Sequence, residues 1–369
     1  MKKSSQQVGR LTIDLGAIKR NWQLLSDKAG CCTAAVVKAN AYGLGIERVA
    51  PALYFQGCRD FYVATLAEGV QLREILNNEV NIYLLAGIAE GDESFCVKHQ
   101  LIPVLSSLDS LRCWAEFNAG QLSLSPSVIK FDSGMTRLGL TREELTQLLL
   151  QPQLISDASP IIFMSHLACA DEPHQVFNTE QRKSFELAAE QILAVDPKIK
   201  LSLANSSGIF LGKGYLFDQV RPGAALYGIN PSSSMDNPMC GVVTLELPVI
   251  QVKSVLVDSS VGYGCDAHVV KDSVLAVVQG GYADGVHRML ESNPFGCVAG
   301  VKVPVAGRIS MDSTVFNVTA IKNIVRGDFI QVMGNLCSQY GLGADSGALG
   351  YEVLTSLGDR YRRVYLDGK

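Results

Sequence analysis

In the run AAVVKANAYGLG, residues 34–45, small and β-branched apolar residues end in Lys38 and then give way to Asn, Tyr and two glycines. That places an amine where a buried strand meets a flexible loop. A lysine partly withdrawn from water loses its proton more easily and becomes a nucleophile toward carbonyls, so Lys38 is a candidate imine-forming lysine. Taken alone, its first reading is a solvated lysine capping a strand. Other apolar runs end in residues of a matching kind. KFDSGMTRLG sets Lys130, Asp132 and Arg137 after one run, with Gly134 and Gly139 loosening the backbone. SHLACAD ends another with His166. LANSSG ends one with Asn205, Ser206, Ser207 and Gly208, small donors suited to a phosphate cradle. VRPGAALYG supplies Arg221 and then Gly223, whose backbone can approach a ligand closely. Each has a plain structural explanation: a satisfied core histidine, a surface ion pair, an ordinary turn. Amine, guanidinium and phosphate donors at the same end of successive strands weaken those separate explanations together.

Such residues need a scaffold that gathers the C-terminal ends of many strands. Candidate strands lie at 34–37, 61–65, 81–85, 102–105, 127–131, 161–166, 201–204 and, last and short, near 219–226. Helical patterns lie between them. TREELTQLLL opens with Thr141 and has Glu144 three residues later, a capping box. NTEQRKSFELAAEQILA places Phe185, Ala188, Ala189, Ile192 and Leu193 on one face. Strand and helix alternate at roughly 25–30 residues per unit, the rhythm of βαβ units. Eight such units in an α/β chain predict a closed parallel (β/α)8 TIM-type barrel, with functional residues where strands end and βα loops begin. An open doubly wound sheet would want a Gly-rich phosphate fingerprint after the first strand, and none is present. After about Cys240 the texture changes. GVVTLELPVIQVKSVLV, SVLAVVQGGY, CVAGVKVPVAG, STVFNVT and DFIQVMG are Val-rich, alternating and bounded by Gly, Pro and Asp, which predicts a mostly β domain. NPSSSMDNPM, residues 230–239, reads as the linker.

The bulk properties narrow the function classes. A length of 369 residues suffices for two domains with real cores. The net charge of −4 argues against a broad electrostatic grip on nucleic acid or anionic lipid. The N-terminal MKKSSQQVGR lacks the apolar core of a secretory signal. No apolar stretch approaches the roughly 18 residues of a membrane span. The ten cysteines show no C-x-x-C pair, so neither a disulfide framework nor a structural zinc site is expected, and reduced thiols in the cytoplasm fit best. Cys31 and Cys32 are adjacent and have no assignable role.

The ordered set AVVKANAYGLG, SGMTRLG, HLACAD, ANSSG, RPGAALYG, VGYG, GYADG, GRISMD and YEVL covers nearly the whole length and closely resembles the alanine racemases. These are pyridoxal-phosphate enzymes with an N-terminal barrel and a C-terminal β domain. The resemblance implies a barrel at 12–238 and a β domain at 239–369 that also takes the N-terminal strand, 1–11. It implies that Lys38 holds pyridoxal 5'-phosphate as an internal aldimine. Tyr42, Asn205, Ser206, the backbone at Gly223 and Ala224, and Tyr351 would bind the cofactor around its phosphate. Arg221 would meet the pyridine nitrogen, with His166 hydrogen-bonded behind it. Arg137 would approach the phenolic oxygen and the substrate carboxylate. Lys130 matches a position that, in some relatives, carries a carbamate bridging to that arginine.

An arginine cannot readily give up a proton, so the pyridine nitrogen would stay unprotonated and the ring a weaker electron sink, which disfavours transamination. The same resemblance implies that Lys38 serves the D-face of the α-carbon and Tyr263 the L-face, Tyr263 arriving from the partner subunit of a head-to-tail homodimer. Tyr282, Met311 and Asp312 would line the substrate entrance or pocket, Tyr282 and Met311 limiting it to a side chain such as methyl. An ordinary tyrosine has a pKa near ~10, so positive charge must help Tyr263 ionise, with His166 and Arg221 as sources. The implied role is supplying D-alanine for the bacterial cell wall. Two departures stand out: Ser133 and Thr136 occupy positions where relatives often carry Thr and Gly, and the tail GDRYRRVYLDGK lacks a common proline. A serine or broad-specificity racemase would keep every catalytic residue. Decarboxylase relatives use an acidic partner for the pyridine nitrogen, against which Arg221 speaks. A catalytically silent cofactor-binding relative would be a single barrel, leaving the β domain with Tyr263 unexplained.

Overall fold

The structure is a computed structural model of the chain and describes residues 9–286, 294–334 and 350–367. Residues 1–8, most of the stretch read above as no secretory signal, lie outside them. The chain divides into two compact units, one of Ile18–Cys240 and one that joins residues 9–17 to the chain from Gly241 onward.

The first unit is a parallel barrel. Its strands are Ala35–Val36, Asp60–Val63, Asn81–Leu84, Leu101–Leu105, Ser127–Lys130, Pro160–Met164, Lys200–Ser202 and Gln219–Val220, with a further short strand at Cys32–Thr33. The nine pieces form one sheet that begins with Cys32–Thr33 and ends with Ala35–Val36. These two are one strand interrupted at Ala34. Its first half pairs with Gln219–Val220 and its second with Asp60–Val63. Ala34 N donates to Val220 O (3.0 Å) and Val36 N to Pro222 O (2.9 Å), so the ladder runs along both sides and the sheet closes as eight strands. Inward-facing residues alternate, as the pleat requires: Ala34 and Val36, Ile102 and Val104, Ile162 and Met164 pack with Tyr62 and Tyr83 inside the barrel. The eighth strand is shorter than the sequence pattern predicts. It stops at Val220 because Pro222 has no N–H to give, and residues Ala224–Tyr227 form a 3-10 turn instead.

The helices carry the expected caps. Thr141 and Glu144 exchange backbone bonds at 2.9 and 3.2 Å, closing the box that starts Arg142–Leu149. Helix Val176–Val195 buries Phe185, Ala188, Ala189 and Ile192, and on the same face it also buries Asn178 and Gln181. The linker-like stretch 230–239 is tied down by Asn237 Nδ2 to Gly228 O (2.8 Å) and Asn230 Nδ2 to Met235 O (2.9 Å).

The second unit is mostly β. The long strand Val243–Ser254 pairs antiparallel with Arg10–Asp14, Leu11 facing Leu245, and Arg10–Asp14 pairs in parallel with Arg362–Leu366. The chain's first strand thus lies between two strands of its second half. Phe329–Met333, Phe295–Val298 and Val301–Pro304 extend the sheet on the other side, and Val274–Gln279 and Ser313–Asn317 branch from the far end of the long strand. Every Val-rich run picked out in the sequence contains one of these strands, and CVAGVKVPVAG also takes in the end of Phe295–Val298. No helix among the described residues is long and apolar enough to cross a membrane.

Candidate active site

Lys38 follows the barrel's first strand by two residues and is half-buried. Burial first, and the Arg137 charge second, hold its pKa below the usual lysine value, opposed by Glu68. The next four residues, Ala39, Asn40, Ala41 and Tyr42, all have φ between 52° and 55°. This is a left-handed turn without a glycine, at a cost of roughly 1–2 kcal/mol per residue. Specific bonds hold it: Ala39 N donates to Glu68 Oε1 (2.7 Å), Ile46 N to Asn40 Oδ1 (2.8 Å) and Gly43 N to Ala39 O (2.7 Å). The other Glu68 oxygen accepts from Ala64 N (2.7 Å) at the end of the second strand. Glu68 was not singled out in the sequence. Its signal was there, however, as the fourth residue of the capping box Thr65–Glu68 directly after a strand.

The left-handed turn sends Tyr42 back toward the eighth strand's end. A Cβ on Gly223 would run into the Tyr42 hydroxyl, so only glycine leaves room for it. Buried Ser206 accepts from Gly223 N (2.9 Å) and Ala225 N (3.1 Å). Tyr42, Ser206, Gly223 and Ala224 therefore come together. Asn205 Oδ1 accepts from Gly208 N (2.9 Å), which shapes the turn beside them.

Arg221 is 4% exposed. Its Nη1 donates to Ser202 Oγ, and its Nη2 to Ser165 O (2.5 Å) and Leu203 O (3.4 Å), while Nε makes no hydrogen bond among the described residues. Burial lowers its pKa to about 10, which leaves it charged at neutral pH. The expected His166–Arg221 hydrogen bond is not formed, because the terminal nitrogens of Arg221 are engaged elsewhere. Burial, then the charges of Arg221, Lys130, Arg137 and Lys38, push His166 down to about 3. The imidazole is therefore neutral at physiological pH, and the expectation that it lends positive charge to a tyrosine fails. Arg221 retains its charge.

The loop after the fifth strand is organised by Asp132, whose carboxylate accepts from Gly134 N (2.9 Å), Thr136 N (3.1 Å) and Arg137 N (3.1 Å). The Arg137 side chain is exposed and makes no hydrogen bond or ion pair among the described residues. Lys130 is buried, and burial with the Arg221 and Arg137 charges lowers it to about 8. Lys38, Lys130, Arg137 and Arg221 thus concentrate basic groups at one end of the barrel, an environment that attracts anions.

The remaining sequence candidates lie in the β-rich unit. Tyr263 opens the turn Tyr263–Cys265 between Gly262 (φ 74°) and Gly264 (φ 79°) and is 72% exposed. Tyr282 N donates to Ser310 O (3.1 Å) and Ala283 N to Met311 O (3.1 Å), which brings Tyr282 beside Met311. Asp312 accepts from Arg360 Nη1 (2.7 Å), and the same arginine reaches Asp284 through Nε (2.6 Å). Arg360 was not foreseen. Its pairing joins residues far apart in the chain and leaves no local pattern. Tyr351 sits on helix Gly350–Thr355.

A cavity of about 690 Å³ opens at the opposite, N-terminal end of the barrel, lined by Cys32, Asp60, Asn81, Tyr83 and Gln219 among others. Its polar groups bond one another: Tyr83 OH to Asp60 (2.8 Å), Asn81 Nδ2 to Asp60 (3.1 Å), Tyr62 OH to Gln219 (2.6 Å). None of the gathered basic groups faces it. Barrel chemistry belongs to the strands' C-terminal ends, where Lys38 lies.

A closed parallel barrel with a pKa-lowered lysine at its first strand's end, a glycine–serine cradle and a buried arginine with an unused Nε defines a barrel enzyme of carbonyl–amine chemistry. Comparison with known proteins sharpens this. Residues 13–231 match the model of the alanine racemase N-terminal domain and residues 242–365 that of the C-terminal domain. An alanine racemase of Rhodospirillum rubrum is 43% identical over 359 residues, covering 96% of this chain and 95% of the relative. A catabolic alanine racemase of Rhizobium johnstonii is 41% identical, covering 97% and 94%. The crystal structure of alanine racemase from Bartonella henselae with covalently bound pyridoxal phosphate superposes with a TM-score of 0.92 at 37% identity, covering 98% of this chain and all of that one. The chain belongs to the alanine racemase family; it is an enzyme of that activity, and its cofactor is pyridoxal 5'-phosphate.

Proposed function

We propose that the chain interconverts L-alanine and D-alanine with two bases, Lys38 on the D-face of the α-carbon and Tyr263 of the partner subunit on the L-face, in a head-to-tail homodimer with shared active sites. The observation that carries this reading is Lys38, an amine whose pKa is lowered by burial and by Arg137 at the end of a barrel strand. A lowered pKa serves it twice, as nucleophile toward the cofactor aldehyde and as proton carrier near neutral pH.

The cofactor supplies an electron sink that makes the α-proton of a bound amino acid removable. Ser206, the backbone at Gly223 and Ala224, Tyr42 and Tyr351 would hold its phosphate, and Asn205 would shape that cradle. The unused Nε–H of Arg221 would meet the ring nitrogen as a hydrogen-bond donor and, because an arginine does not give up that proton, would leave the nitrogen unprotonated. His166 stays neutral beside it and adds no competing charge. Arg137, with no side-chain partner among the described residues, would take the substrate carboxylate as a fork. Lys130, lowered to about 8, reaches the neutral amine form that carbamylation needs more readily than an ordinary lysine. Tyr282, Met311 and Asp312 would line the substrate entrance or pocket, with Tyr282 and Met311 limiting it to a small side chain.

In the cell the reaction supplies D-alanine for the wall from the cytoplasm. A catabolic role, named in the Rhizobium johnstonii relative, is the second reading. Deleting the gene in its own organism separates them: a growth requirement for D-alanine supports supply, and none supports catabolism.

The direct test is D-isomer formation from pure L-alanine and, in parallel, from L-serine, with added pyridoxal phosphate. Fast conversion of alanine with slow conversion of serine is expected. Comparable serine conversion keeps the two-base chemistry but widens the substrate. Bound cofactor with no conversion of either overturns the reading.

A further inference from the structure

We propose that Gln181 is a positioning residue: a buried carboxamide that locks the Arg137 loop to the His166 segment and, through Ser165, to Arg221. The proposal rests on the reading of the site given above and deepens it. Gln181 is 0% exposed on helix Val176–Val195, on the face it shares with Phe185, Ala188 and Ile192. An apolar residue would suit that face; a buried carboxamide is tolerated only when its polar atoms are bonded. They are bonded entirely to the strand-end loops. Nε2 donates to Ser133 Oγ (3.2 Å) and to the His166 carbonyl (3.0 Å), and Oε1 accepts from Ala168 N (2.8 Å).

The connection continues inward. Ser133 Oγ and Ser165 Oγ share a hydrogen bond of 2.8 Å, and the Ser165 carbonyl accepts from Arg221 Nη2 (2.5 Å). Gly134 completes the seat, because with φ 137° it lies against Phe177, whose Cζ would be 2.9 Å from an added Cβ. Asp132 fixes Arg137 within its own loop but does not fix that loop to the rest of the barrel. The Gln181–Ser133–Ser165 chain does, and Ser133 is one of the two departures noticed in the sequence. Loss of the Ser133 hydroxyl removes its bonds to Gln181 and to Ser165 Oγ and leaves the loop held to Ser165 by Ser133 N, which donates to Ser165 Oγ (3.3 Å), so the Arg137 guanidinium samples positions from which it grips a carboxylate less well.

The experiment uses the full, cofactor-loaded protein and the variants Ser133→Ala, Ser133→Thr and Gln181→Met. Propionate, the carbon skeleton of alanine without its amine, is titrated as an unreactive carboxylate probe, alongside KM and kcat for L-alanine and the melting temperature. Ser133→Ala is expected to weaken propionate binding and raise KM by about tenfold, on the order of one hydrogen bond's worth of positioning, with kcat and melting temperature little changed. Ser133→Thr keeps the hydroxyl and is expected to restore both. Gln181→Met should shift propionate affinity in the same direction; because it also alters a buried helix face, the Ser133 pair decides the matter. Ser133→Ala binding propionate like the parent, or Ser133→Thr failing to restore binding, overturns the proposal. A parent protein that racemises alanine yet shows no propionate binding also overturns it. One that does neither sinks the site reading on which it stands.

Discussion

Thr136 has a β-branched side chain at φ 56°, a backbone region that such residues avoid and glycine enters freely. Relief of that conformation, roughly 1–2 kcal/mol, outweighs the roughly 0.5–1 kcal/mol that glycine loses in the unfolded chain. Thr136→Gly is therefore expected to stabilise the protein by up to about 1 kcal/mol, read as a higher urea midpoint at unchanged slope. A lower midpoint would mean that the threonine makes a contact worth more than its strain. His166 gives a pH signature. Its folded pKa, about 3, lies below the ordinary value of 6.5, so the unfolded chain takes up the proton first as pH falls. Folding stability should drop as pH falls from about 6.5 toward 3 and should be unaffected by this group above that window. His166→Asn is expected to flatten that part of a stability–pH profile. A profile as steep as the parent's would mean that another group carries the acid sensitivity. The sequence showed that a histidine follows the sixth strand. It did not show that four basic side chains and burial keep it neutral.

At the scale of elements, the loop after Lys38 looked flexible because of Gly43 and Gly45, yet its structure resides in four non-glycine residues wound left-handed. No local propensity favours such a turn. Glu68 from the next unit and the Asn40 side chain hold it in place. The eighth strand shows the reverse error: β-like residues continue to Leu226, but Pro222 and Gly223 end the ladder and begin a turn. That turn is what lets Tyr42 and Ser206 meet at Gly223. Gly223→Val should push the Tyr42 hydroxyl out and weaken cofactor affinity by about tenfold or more, since overpacking costs about 1–3 kcal/mol. Titration of the cofactor-free protein with pyridoxal phosphate measures it, and unchanged affinity would remove the phosphate cradle from this part of the site.

At the scale of the whole molecule, the two proposed bases belong to different compact units, Lys38 in residues 18–240 and Tyr263 in the β-rich unit. If each site takes its lysine from one subunit and its tyrosine from the other, two inactive variants can repair one another. Lys38→Ala and Tyr263→Phe, mixed and reassembled, should regain about a quarter of the parental activity, because half of randomly paired dimers hold one intact site. No regain from such a mixture, with exchange of subunits shown independently, would place both bases in one chain. The sequence by itself determined the alternation of strands and helices, the change to a β-rich second half, the capping boxes and the chemical types at the strand ends. All of these are written in short-range periodicity and in glycine and proline punctuation. Only the tertiary structure decided how the interrupted first strand closes the barrel, that Arg221 leaves Nε unused, why His166 is neutral, and what Glu68, Gln181 and Arg360 bond. Those properties arise from burial and from partners dozens of residues apart, such as Gln181 and Ser133, which meet only once the barrel has formed.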